Sequence, residues 1–324
     1  MVKIADLELG EFPLLLAPME DVSDPPFRAV CKEFGADVMY SEFIAVEGLI
    51  RDAEKSVEKL DIYDYERPVG IQIFGANIDS MLKATDMVEE AKPEILDINY
   101  GCPVKKVTSK GAGAGILQDL PKMQKMTAEI VKRTHLPVTV KTRLGWDNNS
   151  IHIKEVAKRL QDVGIAALSI HGRTRKQMYK GVADWTLISE ISNDPDIHIP
   201  IFGNGDIDSP QKAWEYRQKF PTAGMMIGRA AIGYPWIFQE IKHYFETQEL
   251  LPPPDTLQRV NTCKRHFEFS LEWKGERRGI FEMRRHYAPY FRGMVGIKPY
   301  RSRLVQAMNP EEVRSVLDEI AHEF

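Results

Sequence analysis

The chain has 324 residues and a formal net charge of −4, and it is 43% hydrophobic and 28% charged, which is typical of a globular protein. At roughly 100–200 residues per domain, this length predicts two domains or one large barrel with an appendage. No apolar run approaches the roughly 20 residues of a membrane helix, and Asp6 stands where a secretory signal would be apolar, so we expect a cytoplasmic protein with no membrane partner.

Eight short apolar runs follow one another along the chain, most of them followed by a glycine or polar corner and a helical stretch. They span residues 14–18, 37–43, 69–74, 95–99, 138–141, 167–171, 200–203 and 224–228. Most are continuous rather than alternating in hydrophobicity, as in parallel strands that are covered on both faces. Eight such units predict a (β/α)8 TIM barrel. A doubly wound open sheet is the alternative fold.

Ser23, ahead of Pro25 and Pro26, predicts the start of the first helix.

The chain changes character after the eighth run. Three consecutive prolines at 252–254 cannot continue a helix and indicate a boundary. Beyond them, residues 257–274, 277–292 and 310–324 have helical patterns with no strand between them. We therefore predict a barrel of residues 1–245 and a small helical domain of residues 246–324.

Polar or reactive side chains stand at most of the predicted strand ends. Because the carboxyl ends of barrel strands meet at one face, where barrel enzymes carry their chemistry, these side chains predict one shared site. They are Met19, Glu20, Gln72, Asn99, Cys102, Lys141, Arg143, His171, Arg173, Asn204, Asp206 and Arg229.

The last two corners, residues 203–206 and 228–230, pair small residues with a permanent charge at Arg229. Glycine lets backbone N–H groups approach an anion, and barrels often bind phosphate after strands seven and eight. Lys141 would lie beneath the middle of such a ligand, while Gln72 and Asn99 could hydrogen-bond a planar heterocycle. Flavin mononucleotide (FMN) has this combination of one phosphate and a polar ring.

Cys102 lies between Gly101 and Pro103 just after the fourth strand, on a loop rich in lysine and glycine. This setting favours a working thiol, which could serve as a nucleophile or as a proton donor. Cys31 and Cys263 are distant from it in sequence, so the three cysteines predict neither a disulfide framework nor a metal site.

Six motifs together resemble those of the tRNA-dihydrouridine synthases, and most of all the bacterial B-type enzymes. In chain order they are Ala17-Pro18-Met19, the stretch Asp97 to Pro103 (DINYGCP), Val140 to Gly145 (VKTRLG), His171 to Thr174 (HGRT), Gly203 to Ile207 (GNGDI) and Gly228-Arg229-Ala230. The resemblance covers almost the whole chain. It implies a flavin-containing barrel, a helical tRNA-binding tail and NADPH-dependent reduction of uridine to 5,6-dihydrouridine in tRNA.

The resemblance also implies residue roles. Pro18, Met19 and Glu20 would line the flavin ring, and Gln72, Asn99 and Lys141 would contact its polar edge. The ribityl chain and phosphate would be held by His171, Asn204, Gly205, Asp206, Gly228 and Arg229. Cys102 would donate the proton to C5 of uracil after hydride addition at C6. The chain departs from the family where Glu20-Asp21 follows Met19 in place of Ala-Gly.

The tail supplies the predicted RNA surface. Between residues 259 and 303 there are 12 Lys/Arg residues against four acids, and such a local excess in an acidic protein is typical of a phosphate-facing surface. We predict RNA contacts from Arg143, Arg173, Arg277, Arg278, Arg284, Arg285 and Tyr287. We expect a monomer.

Three other functions are compatible with parts of this pattern. A small-molecule dehydrogenase of the dihydropyrimidine or dihydroorotate type would share the barrel, the flavin and the thiol, but would not need a basic tail. A non-catalytic RNA-binding protein would not need the ring of polar strand ends. An aldolase or isomerase would use Lys141 covalently.

Overall fold

The computed structural model describes residues 1–324, and its centre is a ring of eight parallel strands. In chain order the ring strands are β3 (Leu14–Leu16), β4 (Met39–Tyr40), β6 (Val69–Phe74), β7 (Ile95–Tyr100), β8 (Val138–Arg143), β9 (Ala167–His171), β10 (Ile201–Asn204) and β11 (Gly224–Ile227). A parallel bridge between Leu15 and Val38 joins the first two strands and completes the ring. The predicted TIM barrel is confirmed. Two strands at the N-terminus, β1 (Lys3–Ile4) and β2 (Leu7–Glu8), form a separate antiparallel pair, and β5 (Ile44–Ala45) adds to β6.

Helices cover the outside of the ring, so most strand residues are buried on both faces, as their continuous hydrophobicity predicts. They are α1 (Pro25–Glu33), α2 (Val46–Leu49), α3 (Glu54–Val57), α4 (Ile78–Glu90), α5 (Lys105–Thr108), α6 (Leu120–Arg133), α7 (Ile153–Asp162), α8 (Thr186–Ser192), α9 (Pro210–Lys219) and α10 (Ile237–Thr247). No helix in the molecule combines the length and the apolarity that crossing a bilayer requires.

The first helix begins one residue later than the sequence suggested. Asp24, rather than Ser23, is its N-cap and accepts a hydrogen bond from the backbone N–H of Phe27 at 3.0 Å. The Ser23 hydroxyl instead turns back to Met19, accepting from its N–H at 2.8 Å and donating to its carbonyl at 3.1 Å. Ser23 therefore shapes the loop that follows β3.

The tail contains α11 (Thr256–Tyr290), α12 (Lys298–Gln306) and α13 (Pro310–Glu323). The two helices predicted before and after residue 275 form one element interrupted at Gly275, whose φ of 74° only glycine adopts easily. The sequence did not predict α12, because Gly296 and Pro299 resemble a loop; here Pro299 lies in the first turn, where proline is tolerated. The division at residue 245 stays a prediction.

Charged side chains join α11 to the barrel. Lys274 forms a buried ion pair with Asp24. The two terminal guanidinium nitrogens of Arg278 donate to the two carboxylate oxygens of Glu58 at 2.8 and 2.9 Å. The indole N–H of Trp273 donates to Asp61 at 2.9 Å. The tail is thus held against the first and second strand–helix loops.

Two buried histidines lie at this junction. The rings of His266 and His286 are 4.6 Å apart, and His266 also contacts the hydroxyl of Tyr290 at 3.1 Å. Burial lowers the pKa of His266 to about 3 and the pKa of His286 well below its ordinary value. Both side chains therefore favour the neutral form in the folded protein, and His266 stays neutral at pH 5.

We expect this histidine pair to make folding pH-dependent between pH 7 and pH 5. The unfolded chain binds protons at a pKa of about 6.5 that the folded chain does not bind at His266, so lowering the pH from 7 to 5 reduces the free energy of unfolding by about 2 kcal/mol through His266. The lowered pKa of His286 acts in the same direction. Urea unfolding of wild-type protein and of His286→Phe at several pH values measures the effect. The variant should lose part of the pH slope; an identical slope would contradict the assignment.

Candidate active site

A cavity of about 720 Å³ opens at the carboxyl ends of the barrel strands. It brings together thirteen of the predicted site residues, drawn from the carboxyl ends of six of the eight strands and from the loops that follow them. They are Pro18, Met19, Glu20, Asn99, Cys102, Lys141, Arg143, His171, Asn204, Gly205, Asp206, Gly228 and Arg229. The predicted site residues therefore meet in one cavity, and their contacts with a ligand stay predictions.

Gln72 lies beneath the cavity wall rather than in it. Its side chain is fully buried, donates to Asp97 at 2.5 Å and accepts from the amide of Asn99 at 2.8 Å. The glutamine thereby fixes the rotamer of Asn99, whose own side chain lines the cavity. Direct contact between Gln72 and a ligand stays a prediction.

Asn99 also holds the backbone around the cysteine. Its side-chain oxygen accepts from the N–H groups of Gly101 at 2.9 Å and Cys102 at 2.8 Å. On the other side, Gly113 has a φ of +53°, and a Cβ there would lie 2.9 Å from the Cys102 carbonyl oxygen. Glycine is required at this position because the loop folds back directly onto Cys102.

The thiol of Cys102 is 6% exposed. Burial raises its pKa, and Glu20 acts in the same direction, while Arg143 and Lys141 partly oppose them. The thiol is therefore protonated at neutral pH. This favours the proton-donor role over the nucleophile role that the sequence left open, because only a thiolate attacks efficiently.

Lys141 and Asn204 connect the middle of the cavity to its far wall. The ammonium group of Lys141 donates to the Asn204 side-chain oxygen at 3.1 Å, and the Asn204 amide donates to the carbonyl of Met226 at 2.7 Å. Burial, with repulsion from Arg143, lowers the pKa of Lys141 to about 8. The lysine remains mostly charged at pH 7.

The corner after β10 depends on a buried ion pair. Arg173 is 2% exposed and bonds both carboxylate oxygens of Asp206, at 2.7 and 2.8 Å. Asp206 also accepts the N–H of Ala183 at 2.8 Å and lies 3.4 Å from Arg229. Asp206 therefore orients two arginines and a loop. Its predicted contact with the ribityl chain and phosphate stays a prediction.

His171 lies beside this cluster as a neutral imidazole. Its Nε2 is 3.2 Å from a guanidinium nitrogen of Arg173 and accepts a hydrogen bond from it, because guanidinium only donates. Burial and the surrounding cations, Arg143 first, hold its pKa well below the ordinary value. Positive charge at this end of the cavity therefore comes from lysine and arginine.

The two acids that distinguish the first loop have partners elsewhere. Glu20 pairs with Lys59 at 2.8 Å, and Asp21 lies 3.8 Å from Arg285 of α11. The backbone N–H of Asp21 donates to Glu42 at 2.5 Å. Burial raises the pKa of Glu42 to about 7. The Glu20-Asp21 substitution therefore ties the loop to α11 and to the second-strand loop.

A second cavity of about 1150 Å³ lies between the barrel mouth and α11. It shares Glu20, Phe43, Cys102 and Val104 with the first cavity, so Cys102 stands where the two meet. Its walls include Lys55, Lys106, Lys110 and Lys122 from the barrel and Trp273 and Arg278 from α11. None of these four lysines has a carboxylate within 4 Å.

The sequence profile described as "Dihydrouridine synthase (Dus)" matches residues 15–324. The chain belongs to the dihydrouridine synthase family. It is 36% identical over 298 residues to tRNA-dihydrouridine synthase B of Xanthomonas campestris pv. campestris, covering 92% of this chain and 89% of that one. It is 38% identical over 291 residues to tRNA-dihydrouridine synthase B of Pseudomonas putida (90% and 86%) and 34% identical over 320 residues to a probable tRNA-dihydrouridine synthase of Rickettsia conorii (98% and 96%).

The chain is accordingly an oxidoreductase, and the profile of the dihydrouridine synthases extends across the helical tail as well as the barrel. The small-molecule dehydrogenase alternative is not favoured. Among solved structures, histamine dehydrogenase from Rhizobium sp. 4-9 aligns with a TM-score of 0.57 at 9% identity, covering 81% of this chain and 50% of that one. A 2-naphthoyl-CoA reductase complex gives 0.56 at 11% identity, covering 71% and 50%. At these identities the likeness concerns the barrel fold alone.

Three of the residues predicted to contact RNA in this dihydrouridine synthase are buried, and their contacts with RNA stay predictions. Tyr287 is completely buried in the core of the helical tail. Arg143 is 3% exposed, and its guanidinium donates to the carbonyls of Gly101, Thr174 and Met178. The guanidinium of Arg173 forms an ion pair with Asp206. The sequence identified these aromatic and basic residues as functional candidates. Their spacing did not show whether each side chain is buried, where it supports the structure, or exposed, where it could contact RNA.

Most of the tail arginines that we predicted to bind RNA have protein partners. Arg278 and Arg285 pair with Glu58 and Asp21 of the barrel, and Arg284 donates to the carbonyl of Ala307 at 3.0 Å. Arg277 is exposed and forms no ion pair. Part of the positive charge of the tail is therefore neutralised within the molecule, and the contacts of these four arginines with RNA stay predictions.

Two functional candidates escaped the sequence reasoning. Tyr179 lines the 720 Å³ cavity, with the guanidinium of Arg229 4.9 Å from its ring centre. Arg175 precedes it in the same loop and contacts the loop of Cys102. Their position just after the HGRT motif was the available signal.

Proposed function

We propose that this protein reduces uridine to 5,6-dihydrouridine in tRNA, with FMN as its bound cofactor and NADPH as the reductant. The observation that carries the proposal is Cys102: a buried, protonated thiol at the junction of a cationic cavity with a second, larger opening. A proton donor at this junction can act on a base that enters from outside. The names of the relatives support tRNA as the substrate.

The residues present fit FMN. The cavity has a positive end at Arg229 that suits a phosphate monoester, and Lys141 lies towards its middle. Gly205, with a φ of +125°, has no space for a Cβ because Ala183 would lie 2.7 Å away, so its backbone forms part of that wall. Elsewhere in the cavity Met19 offers an apolar surface for a ring, and Asn99 offers a polar edge.

FMN would supply the hydride that adds to C6 of uracil. The protein then has two tasks. Cys102 holds a proton at Sγ for C5, and its raised pKa keeps that proton in place until negative charge develops on the base. Lys141 stabilises the added negative charge electrostatically, in a site where burial strengthens its effect.

The base must leave its stack to reach Cys102, at a cost of a few kcal/mol. The second cavity provides the approach, because it opens between the barrel and α11 and ends at Cys102. Its unpaired lysines, rather than the paired arginines of the tail, are the side chains that we expect to meet RNA phosphates.

Incubation of purified protein with NADPH and unmodified tRNA tests the function directly. We expect a yellow protein, consumption of NADPH that depends on tRNA, and dihydrouridine detected by mass spectrometry of the RNA digest. Turnover of free uracil or dihydroorotate with no activity on tRNA would overturn the proposal.

We expect Lys106→Ala/Lys110→Ala to weaken tRNA binding and to lower the dependence of log Kd on log salt by about 2, since each lost phosphate contact removes about one unit. Lys125→Ala is the matched control, because Lys125 is exposed and unpaired but lines neither cavity. Filter-binding titrations at several salt concentrations provide the slopes. Equal slopes for the double variant and the control would place the RNA elsewhere.

A further inference from the structure

The loop that carries Cys102 is held from outside by one arginine. Arg175 follows the HGRT motif after β9, and its Nε donates to the carbonyl of Pro103, the residue after Cys102, at 3.1 Å. Its Nη2 donates to the hydroxyl of Thr108 at 3.2 Å. The two bonds attach one guanidinium to both ends of the segment 103–108.

The arginine is itself fixed in place. Its guanidinium lies 4.6 Å from the ring centre of Trp146, in the loop after β8, and its backbone N–H donates to the carbonyl of Gly145 at 2.9 Å. Stacking on an aromatic ring restricts a guanidinium without consuming its donors. Three successive barrel corners, after β7, β8 and β9, are thus joined at Arg175.

No carboxylate lies within 4 Å of Arg175. Its neighbours Arg173 and Lys176 both form ion pairs, whereas the bonds of Arg175 go to a carbonyl and a hydroxyl of the cysteine loop. Thr108 is buried, so its hydroxyl is available to the protein alone. The arrangement suits mechanical support of the loop.

We propose that Arg175 is a positioning residue that holds the Cys102 loop closed, with Trp146 as its platform, so that the thiol stays at the junction of the two cavities. The proposal rests on the proposed function for its effect on catalysis. Its structural content, a closed loop, does not depend on that function. Because a misplacement of about 1 Å can cost about a hundredfold in rate, a loop that opens should impair proton donation.

Alkylation of the cysteines measures loop opening independently of activity. The chain has three free cysteines, of which Cys31 and Cys263 are completely buried and Cys102 is 6% exposed. Peptide mass spectrometry after iodoacetamide treatment reports on each separately. Global loosening labels all three, whereas an open loop labels Cys102 alone, so the two buried cysteines form an internal control.

For Arg175→Ala we expect Cys102 labelling to accelerate about tenfold to a hundredfold, as two hydrogen bonds from a charged donor are lost, with Cys31 and Cys263 unchanged. Thr108→Val removes one of these bonds and should give a smaller acceleration. In stopped-flow, reduction of the bound flavin by NADPH without RNA should keep its wild-type rate, while reoxidation by tRNA should slow by about a hundredfold.

Arg175→Lys tests whether the loop is held by the hydrogen bonds and stacking of the guanidinium or by its positive charge alone. Lysine keeps the positive charge but cannot make both bonds or stack in the same way, so we expect it to resemble Arg175→Ala in labelling and in reoxidation. Full rescue by lysine, or wild-type labelling of Cys102 in Arg175→Ala, would overturn the proposal. Parallel labelling of all three cysteines would overturn it as well. Full turnover by Cys102→Ala would instead contradict the proposed function and leave the labelling test intact.

Discussion

Cys102→Ala should retain bound flavin and its reduction by NADPH but form dihydrouridine about 10²–10⁴-fold more slowly, the range that general acid catalysis contributes. The backbone of the loop is held by the side chain of Asn99, which the substitution leaves in place. The reductive half-reaction, followed by loss of flavin absorbance without RNA, should therefore be unaffected. Mass spectrometry of digested tRNA measures the second half-reaction, in which dihydrouridine forms.

The pH dependence offers a second readout for the same residue. A proton donor is active below its pKa, and burial raises the pKa of Cys102 above the ordinary thiol value of about 8.5. We expect wild-type reoxidation by tRNA to persist beyond pH 8.5 before it declines. Cys31→Ala is the control, because Cys31 is buried in α1 away from both cavities. Full dihydrouridine formation by Cys102→Ala would refute the role.

Arg173→Met should destabilise the protein by about 3–5 kcal/mol, because it leaves the carboxylate of Asp206 without its buried partner. The ion pair is 2% exposed at the arginine and 16% at the aspartate. Loss of the guanidinium also frees the carbonyl of Gly181 and the loop that contains Tyr179. We expect reduced flavin content together with a lower free energy of unfolding, measured by urea titration of the purified protein.

Arg229→Ala is the matched comparison, since Arg229 pairs with the same aspartate at 3.4 Å but is 56% exposed. Exposed ion pairs contribute about 0–1 kcal/mol, so stability should stay near wild type. FMN affinity should still fall about tenfold to a hundredfold, because a hydrogen bond to a charged group contributes about 1.5–3 kcal/mol. Equal loss of stability in both variants would contradict the distinction between support and ligand contact.

The Glu20-Asp21 pair shows what comparison with the family motif can and cannot establish. The departure from the family motif was visible, but its consequence was not, because the partners Lys59 and Arg285 lie 39 and 264 residues away in the chain. Gln72 is a similar case. The sequence placed Gln72 on a strand, as the structure does. Its side-chain hydrogen bonds with Asp97 and Asn99 depend on the register between β6 and β7, which the sequence does not show.

In the basic tail, the local charge pattern did not include the acids of the barrel that pair with it. Counting 12 cations against four acids ignores acids on other elements, and Asp24, Glu58 and Asp21 of the barrel neutralise Lys274, Arg278 and Arg285. The amphipathic pattern of a helix likewise places Tyr287 on a face without revealing that the face is covered. Net surface charge is a property of the packed molecule.

The amino-acid sequence alone determined the barrel, the ring of polar strand ends and the family, because strand periodicity and motif order are local properties that read directly from the chain. Tertiary structure decided which of those polar groups face the cavity, which support it, that the Cys102 thiol is protonated, and that Arg175 reaches its loop. Burial, pKa and ion pairing depend on distances between residues far apart in sequence, and packing alone sets those distances.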